Sequence, residues 1–275
     1  MPTRLSNYFI FCGDASEQSG GRLMPEKSGI RHCGAERGCK ADEAHATPEN
    51  VYRAEGLGTP HFFTTRNTPD SFMPEGMVTA KKQLHSTIVK YISDKNAEEL
   101  HYCDGFVIDR ESFAERGRYV AIRTADCVPI LLCGTDKDGK PVVSAVHAGW
   151  RGTVGGIAAE AVAKMKSLGA VSDSICAAVG AHIGVCCYEV GESFIEEVKS
   201  IRGEDFVRRH VDFTSYEKPH ANLSSMNREF LMSAGVREEN IDFSPDCTCC
   251  NTEIYFSHRG MHGKRGTMGA GIMIK

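Results

Sequence analysis

The sequence has no apolar run approaching the length of a membrane span, so it offers no candidate transmembrane helix. It has no excess of one charge either. Against 32 Lys and Arg stand 36 Asp and Glu, and a net charge of −4 lacks the basic footprint that nucleic-acid binding requires. Internal repeats and low-complexity tracts are absent, which excludes solenoids and fibrous arrays. Near the start, the short apolar run Tyr8 to Cys12 is followed by Asp14 without a small-residue cleavage pattern, so no secretory signal is expected and the cytoplasm is the expected compartment.

What the chain does have is material for a core. Of its 275 residues 41% are hydrophobic, enough for one large or two small domains. Twelve cysteines would signal a disulfide framework in a short exported chain; here they read as thiols. The adjacent pairs Cys186-Cys187 and Cys249-Cys250 agree with that, because neighbouring cysteines bridge each other only under strain. Cys247-Thr248-Cys249-Cys250 resembles half of a zinc knuckle, but no second pair at knuckle spacing follows it. Cys12, His32, Cys33 and Cys39 fit no common zinc spacing.

Residues 1–55 are rich in Gly, Ser, Glu and charge with little periodicity, and are expected to form a loosely ordered or irregular arm ahead of a folded domain at 56–275. His61 to Arg66 reads as a short strand ending in an arginine, a residue that anion sites use. Met77 to Ile92 fits neither the helical nor the strand period. Asp104–Asp109, Tyr119–Arg123 and Ser174–Val179 read as strands, and Gly191–Ile201 and Ser224–Ala234 as helices. Thr153 is expected to cap a helix reaching about Leu168, whose free N–H groups would favour an anion near Trp150 and Arg151. Glu253–Ser257 and Thr267–Ile274 read as strands around a basic turn.

The chain is organised around Arg123 to Thr153. Two apolar runs, Val128–Leu132 and Pro141–Val146, flank the polar segment Gly134–Lys140 with its Asp138-Gly139 pair, the pattern of a β-hairpin with a long loop. The expected fold class is therefore α+β (mixed α/β): mixed β-sheets with an antiparallel central hairpin, flanked by helices. With the loop centred on Lys137, Cys127 faces His147, at the roughly 4.5–5.5 Å between Cβ atoms of directly opposed residues. That suits a thiolate and an imidazole sharing one metal ion, or a nucleophile and its base. A register slip of one residue would turn one of them away. A small buried hydrophobe at Cys127 and an ordinary strand end at His147 would give the same pattern. Asp126 before the cysteine and Gly149-Trp150-Arg151-Gly152 after the histidine favour a site, since a core strand has need of neither.

Five motifs together resemble the YfiH-type family, also called the laccase-domain or multicopper polyphenol oxidase-like family. They are Gln83-Leu84-His85, Thr124-Ala125-Asp126-Cys127, Val146-His147-Ala148-Gly149-Trp150-Arg151-Gly152-Thr153, Cys186-Cys187-Tyr188-Glu189-Val190-Gly191 and Phe256-Ser257-x-Arg259. The resemblance covers about residues 60 to 275 and implies a purine nucleoside phosphorylase with adenosine deaminase activity, acting on purine nucleosides and phosphate. It implies metal ligation by His85, Cys127 and His147, and so supplies a third ligand that the residues alone cannot pick from eleven histidines. Two imidazoles and a thiolate leave one tetrahedral position of zinc open, the pattern of a catalytic site; copper is the other metal the family name suggests. Asp126 would then assist as partner or proton acceptor, making Asp126, Cys127 and His147 the catalytic group. Arg66, Arg151 and Arg259 are candidates for holding phosphate, with Gln83 and Ser257 as further polar contacts.

The sequence departs from the family pattern in three places. Only residues 67–82 separate the arginine strand end from the Gln-x-His motif, Val185 stands where proline is usual, and His258-Arg259-Gly260 replaces Tyr-Arg-Arg. The same fold also resembles that of bacterial toxin deamidases, which makes a metal-free Cys127–His147 amidase the alternative, with editing of peptidoglycan precursors as a related one. One Cys and two His hold at most one copper, too few for laccase chemistry.

Overall fold

A computed structural model describes residues 51–113 and 117–274. The strands are β1 (Val51–Tyr52), β2 (His61–Thr64), β3 (Val78–Thr79), β4 (Val89–Tyr91), β5 (Gly105–Asp109), β6 (Tyr119–Thr124), β7 (Val128–Thr135), β8 (Pro141–Ala148), β9 (Cys176–Val179), β10 (Val211–Asp212), β11 (His220–Ala221), β12 (Ile241–Phe243) and β13 (Met268–Met273). The α-helices are α1 (Trp150–Gly155), α2 (Ile157–Ser167), α3 (Glu192–Arg202), α4 (Glu204–His210) and α5 (Leu223–Ser233). One sheet runs β1-β2-β13-β6-β3 and the other β12-β9-β7-β8-β5-β4, with β10 and β11 as a separate pair. Parallel pairs (β3 with β6, β4 with β5, β9 with β12) join otherwise antiparallel ladders, so the fold is the expected mixed α+β.

The uninterrupted apolar runs of the central hairpin follow from burial on both faces, which removes the polar alternation of a one-sided sheet. Ile130, Leu132, Val142 and Val146 pack with Ile157, Ala161 and Met165 of α2, whereas Leu131, Val143 and Ala145 pack with Phe63, Ile122 and Ile272 of the facing sheet. The layers are thus sheet, sheet and helices. Among the described residues no helix is long and apolar enough to cross a membrane.

Several expectations need correction. Thr135 pairs with Pro141 and Val128 with Ala148, so the loop is centred on Asp138 and His147 faces Pro129, not Cys127. Cys127 lies one residue before β7, diagonal to His147. The displacement equals two pairing steps, which leaves both side chains on one face where a single step would not. Helix α1 begins at Trp150 with Gly149 as N-cap, and Thr153 is fully buried inside it, its hydroxyl donating back to the Ala148 carbonyl at 3.3 Å. Gly156, at φ 91°, separates α1 from α2. Glu253–Ser257 forms turns, with the Ile254 and Tyr255 amides both donating to Asn251, and α4 was not anticipated. Met77–Ile92 contributes only β3 and β4 with a long loop between them. Strand β1 falls within the stretch assigned to the arm, yet Val51 is buried and paired with Thr64. Residues 1–50, with Cys12, His32, Cys33 and Cys39, lie outside the described residues.

Candidate active site

One end of the second sheet gathers the chemistry. His85 comes from the loop before β4, Cys127 from the turn before β7 and His147 from β8, and one ligand atom from each lies within 4.8 Å of the others. The His85 and His147 rings meet edge to face with centroids 4.8 Å apart. The sequence offered no reason for a histidine at position 85, because its backbone is left-handed (φ 57°) and belongs to no periodic element.

Asp104 explains how that loop holds its shape, and sequence reasoning missed it, taking it for a strand start. Its side chain is fully buried and accepts from the amides of Leu84 (3.1 Å), His85 (2.8 Å) and Ser86 (2.8 Å), from the Ser86 hydroxyl (2.6 Å) and from His147 Nδ1 (2.9 Å). One carboxylate therefore wraps the loop carrying His85 and fixes the ring of His147, turning Nε2 toward Cys127 and His85. Metal-binding histidines commonly have such a carboxylate behind them.

Helix α1 completes the loop's seat. A Cβ at Gly149 would stand 2.5 Å from His85 Cδ2, at Gly152 2.7 Å from the Ser86 carbonyl oxygen, and at Gly155 2.5 Å from Thr87 Cγ2. Three glycines three residues apart leave a groove in which residues 85–87 lie. Gly149→Ala is expected to displace the His85 ring and weaken any metal held by the three donors by about tenfold or more, with far-UV circular dichroism unchanged. A chelator competition titration measures it.

The electrostatics are those of a charged pair. Burial opposes ionisation of Cys127, but hydrogen bonds and charge from His147 and His85 outweigh it and bring the thiol from 9.0 down to about 6. Burial likewise disfavours the His147 cation, yet Asp104 and Cys127 hold it up from 6.5 to about 9. Burial would raise Asp104, but the hydrogen bonds from His147, Ser86 and His85 take it from 3.8 down to about 2. A thiol lowered to about 6 beside an imidazole raised to about 9 favours a thiolate–imidazolium pair. Alkylation of Cys127 is expected to rise through a midpoint near pH 6, as followed by peptide mass spectrometry.

A cleft of about 310 Å³ is lined in part by Trp150, Arg151, Tyr188, Phe194, Glu197 and Arg259; His85, Cys127 and His147 are not in its lining, and Trp150, three residues after His147, and Tyr188, which feels the charge of Cys127, link it to them. Trp150 and Tyr188 stand 5.0 and 6.0 Å, ring to ring, from Phe194. Tyr188 is pushed above its usual range, chiefly by burial and next by the charge of Cys127, with Arg259 and Arg151 pulling the other way. Arg151 stacks 4.1 Å over Trp150 and pairs loosely with Glu197 at 3.3 Å. Arg259 donates to the carbonyls of Cys187 (3.3 Å) and Glu189 (3.0 Å).

The other sequence candidates are placed differently. Asp126, buried at φ 87°, commits both carboxylate oxygens, one to the Thr248 hydroxyl (2.6 Å) and one to the Arg259 amide (2.7 Å). Gln83 exchanges two 2.7 Å hydrogen bonds with the backbone of Arg123. Ser257 is fully buried, its hydroxyl accepting the Gly260 amide at 2.9 Å. Arg66 donates to the Thr252 carbonyl and lies 5.3 Å over the Phe256 ring. These four residues shape the loops that carry the site, whereas Arg151 and Arg259 face the cleft.

Fold and motifs define an α+β protein with a histidine–cysteine–histidine group at a sheet end. Residues 66–275 match the family described as multi-copper polyphenol oxidoreductase laccase, and the chain belongs to that family. It is 38% identical over 162 residues to adenosine deaminase RL5 from an unknown prokaryotic organism, covering 58% of this chain and 60% of that relative. It is 32% identical over 183 residues to a purine nucleoside phosphorylase of Bacteroides thetaiotaomicron, covering 66% of this chain and 64% of the relative. The chain therefore spans less than two thirds of the length of either protein. The crystal structure of YlmD from Geobacillus stearothermophilus superposes with a TM-score of 0.69 at 25% identity, covering 84% of this chain and 98% of that one.

Proposed function

We propose that this protein is a zinc-dependent purine nucleoside phosphorylase, cleaving adenosine or inosine with phosphate to the base and ribose 1-phosphate, and that it also deaminates adenosine. The observation that carries this reading is the convergence of His85, Cys127 and His147, with a cleft of aromatic rings and arginines that begins three residues after His147 at Trp150. Relatives named purine nucleoside phosphorylase and adenosine deaminase support it. The cleft volume lies at the lower end of the roughly 300–1,000 Å³ of small-molecule sites.

The donor set fits zinc, since two imidazoles and one thiolate are zinc ligands and leave a fourth position open. When bound there, the metal supplies a Lewis acid and lowers the pKa of water. The same three donors accept one copper ion. Among the described residues no further imidazole cluster exists, so oxidation at several coppers does not fit.

In phosphorolysis a phosphate oxygen bonds to the anomeric carbon as the bond from that carbon to the purine nitrogen breaks; the base leaves with the electron pair and takes up a proton. Arg151 and Arg259 are the cations for the phosphate. The pair of Arg151 with Glu197 is solvent-exposed and thus weak, so phosphate can displace it. Trp150, Tyr188 and Phe194 hold the plane of the base. Asp104 keeps His147 oriented, and Asp126 fixes the backbone of Arg259. In deamination water adds at C6 of adenine and ammonia leaves, the reaction of zinc deaminases. The reaction needs neither nucleic acid nor membrane. We place the protein in the cytoplasm, in keeping with nine described cysteines that form no disulfide.

The thiol near pH 6 beside His147 favours a second reading, a metal-free Cys127–His147 amidase. Mass spectrometry of adenosine incubations with and without phosphate separates the two. Adenine with ribose 1-phosphate, appearing only with phosphate, and inosine with ammonia, both abolished by chelation, are expected. No turnover of nucleoside by zinc-loaded protein, together with amide hydrolysis that survives chelation, would overturn the proposal.

A further inference from the structure

The cysteines that the sequence scatters meet at a second point. Cys186 and Cys187, in the turn after β9, and Cys247 and Cys250, in the segment after β12, bring all four sulfurs within 4.8 Å of one another. Cys250 Sγ lies 3.6 Å from Cys186 Sγ and 3.4 Å from Cys187 Sγ. Four thiolates at about 2.3 Å around one tetrahedral ion stand roughly 3.8 Å apart, close to this spacing and well beyond a disulfide bond of about 2.05 Å. A cluster of several irons would spread its cysteines over a wider shell.

The surroundings are built to admit the sulfurs. A Cβ at Gly184 would stand 3.1 Å from Cys186 Sγ and 3.5 Å from Cys247 Sγ, and the Gly184 amide donates to Cys247 Sγ at 3.2 Å. The Cys187 and Tyr188 amides both donate 3.0 Å hydrogen bonds to the Gly184 carbonyl, closing the turn that presents the adjacent pair. The Asn251 amide and side chain close the other turn on the Cys247 carbonyl at 3.1 and 2.9 Å. No charged side chain is needed to complete the set, as four thiolates fill a structural zinc site.

We propose that Cys186, Cys187, Cys247 and Cys250 bind one structural zinc ion, separate from the His85–Cys127–His147 group. Binding releases the thiol protons to solvent and changes no oxidation state. The ion cross-links two segments 60 or more residues apart that meet again at the cleft, where the Cys187 and Glu189 carbonyls accept from Arg259. It would stiffen the wall that carries Tyr188 and Arg259.

Metal content tests this without reference to any activity. Purified wild-type protein is expected to hold two zinc ions per chain by plasma mass spectrometry. The double variant Cys187→Ser/Cys250→Ser should hold one, and His85→Ala should keep the four-cysteine ion. Cobalt exchange into the wild-type protein covers the case of a variant that fails to fold. A tetrathiolate site gives thiolate-to-cobalt charge-transfer absorption several times stronger per ion than a site with a single thiolate. Unchanged zinc in the double variant, a disulfide among these cysteines in native protein, iron in place of zinc, or a cobalt spectrum with only the single-thiolate intensity would each overturn the proposal. Loss of nucleoside turnover with this ion retained would count against the proposed function alone.

Discussion

Replacing His147 by alanine is expected to lower phosphorolysis at least about a hundredfold and to weaken zinc binding beyond the roughly 10–100-fold that loss of a ligand's outer partner costs. His147 is 3% exposed and joins Asp104 to Cys127, so its removal also breaks a buried pair. Breaking such a pair costs about 3–5 kcal/mol, and the metal-free variant should melt well below the wild type. Metal-free calorimetry separates this stability loss from the loss of turnover. The stabilisation from the His147 cation is fully present below its ordinary 6.5 and is lost as pH rises through about 9. The stability gap between metal-free wild type and variant should therefore narrow toward pH 9 and above.

Asp104→Ala is expected to be as damaging to the fold, though Asp104 need not touch substrate. The variant takes the buried acceptor away from the part-buried amides of Leu84, His85 and Ser86 and leaves the buried His147 ring without its carboxylate. The loop carrying His85 then loses its anchor. Urea unfolding should show a loss of about 3–5 kcal/mol at neutral pH, and zinc should bind about 10–100-fold more weakly. The pH dependence has the opposite sign to that of His147. A carboxylate lowered from 3.8 to about 2 contributes stability that is complete above its ordinary value and lost as pH falls through about 2. Wild type and Asp104→Ala should accordingly converge in acid. Asp104→Asn is expected to recover little, because its NH₂ would face donors.

The sequence made the hairpin legible because the apolar runs are long and the loop is polar. Its centre was not legible, since Lys137 and Asp138 serve equally well as midpoints until Gly139 at φ 79° and the Asp136–Lys140 backbone bond are seen. Cys127 and His147 still came together because two pairing steps preserve the face. His85 needed the family resemblance, as its loop is held by Asp104 and by the glycines of α1 and carries no period of its own. Asp104 left only a faint signal, an acidic residue directly ahead of a buried apolar strand. Helix α1 was misread at Thr153 because a threonine before an apolar run resembles a cap, whereas the Gly149-x-x-Gly152-x-x-Gly155 spacing marked the groove for the loop. The four cysteines stayed hidden because ligand spacing along the chain reveals only sites whose pairs lie near each other in sequence.

If His85, Cys127 and His147 hold the metal for phosphorolysis of a purine nucleoside, turnover depends on all three and on phosphate. The most direct measurement is turnover of inosine by metal-quantified wild-type and His85→Ala protein, with and without phosphate, reading hypoxanthine and ribose 1-phosphate by mass spectrometry. Equimolar hypoxanthine and ribose 1-phosphate are expected from the wild type only when phosphate is present, with a loss of both of at least about tenfold in the variant. Hypoxanthine release without phosphate, or undiminished turnover by a variant lacking the metal at this site, would contradict it.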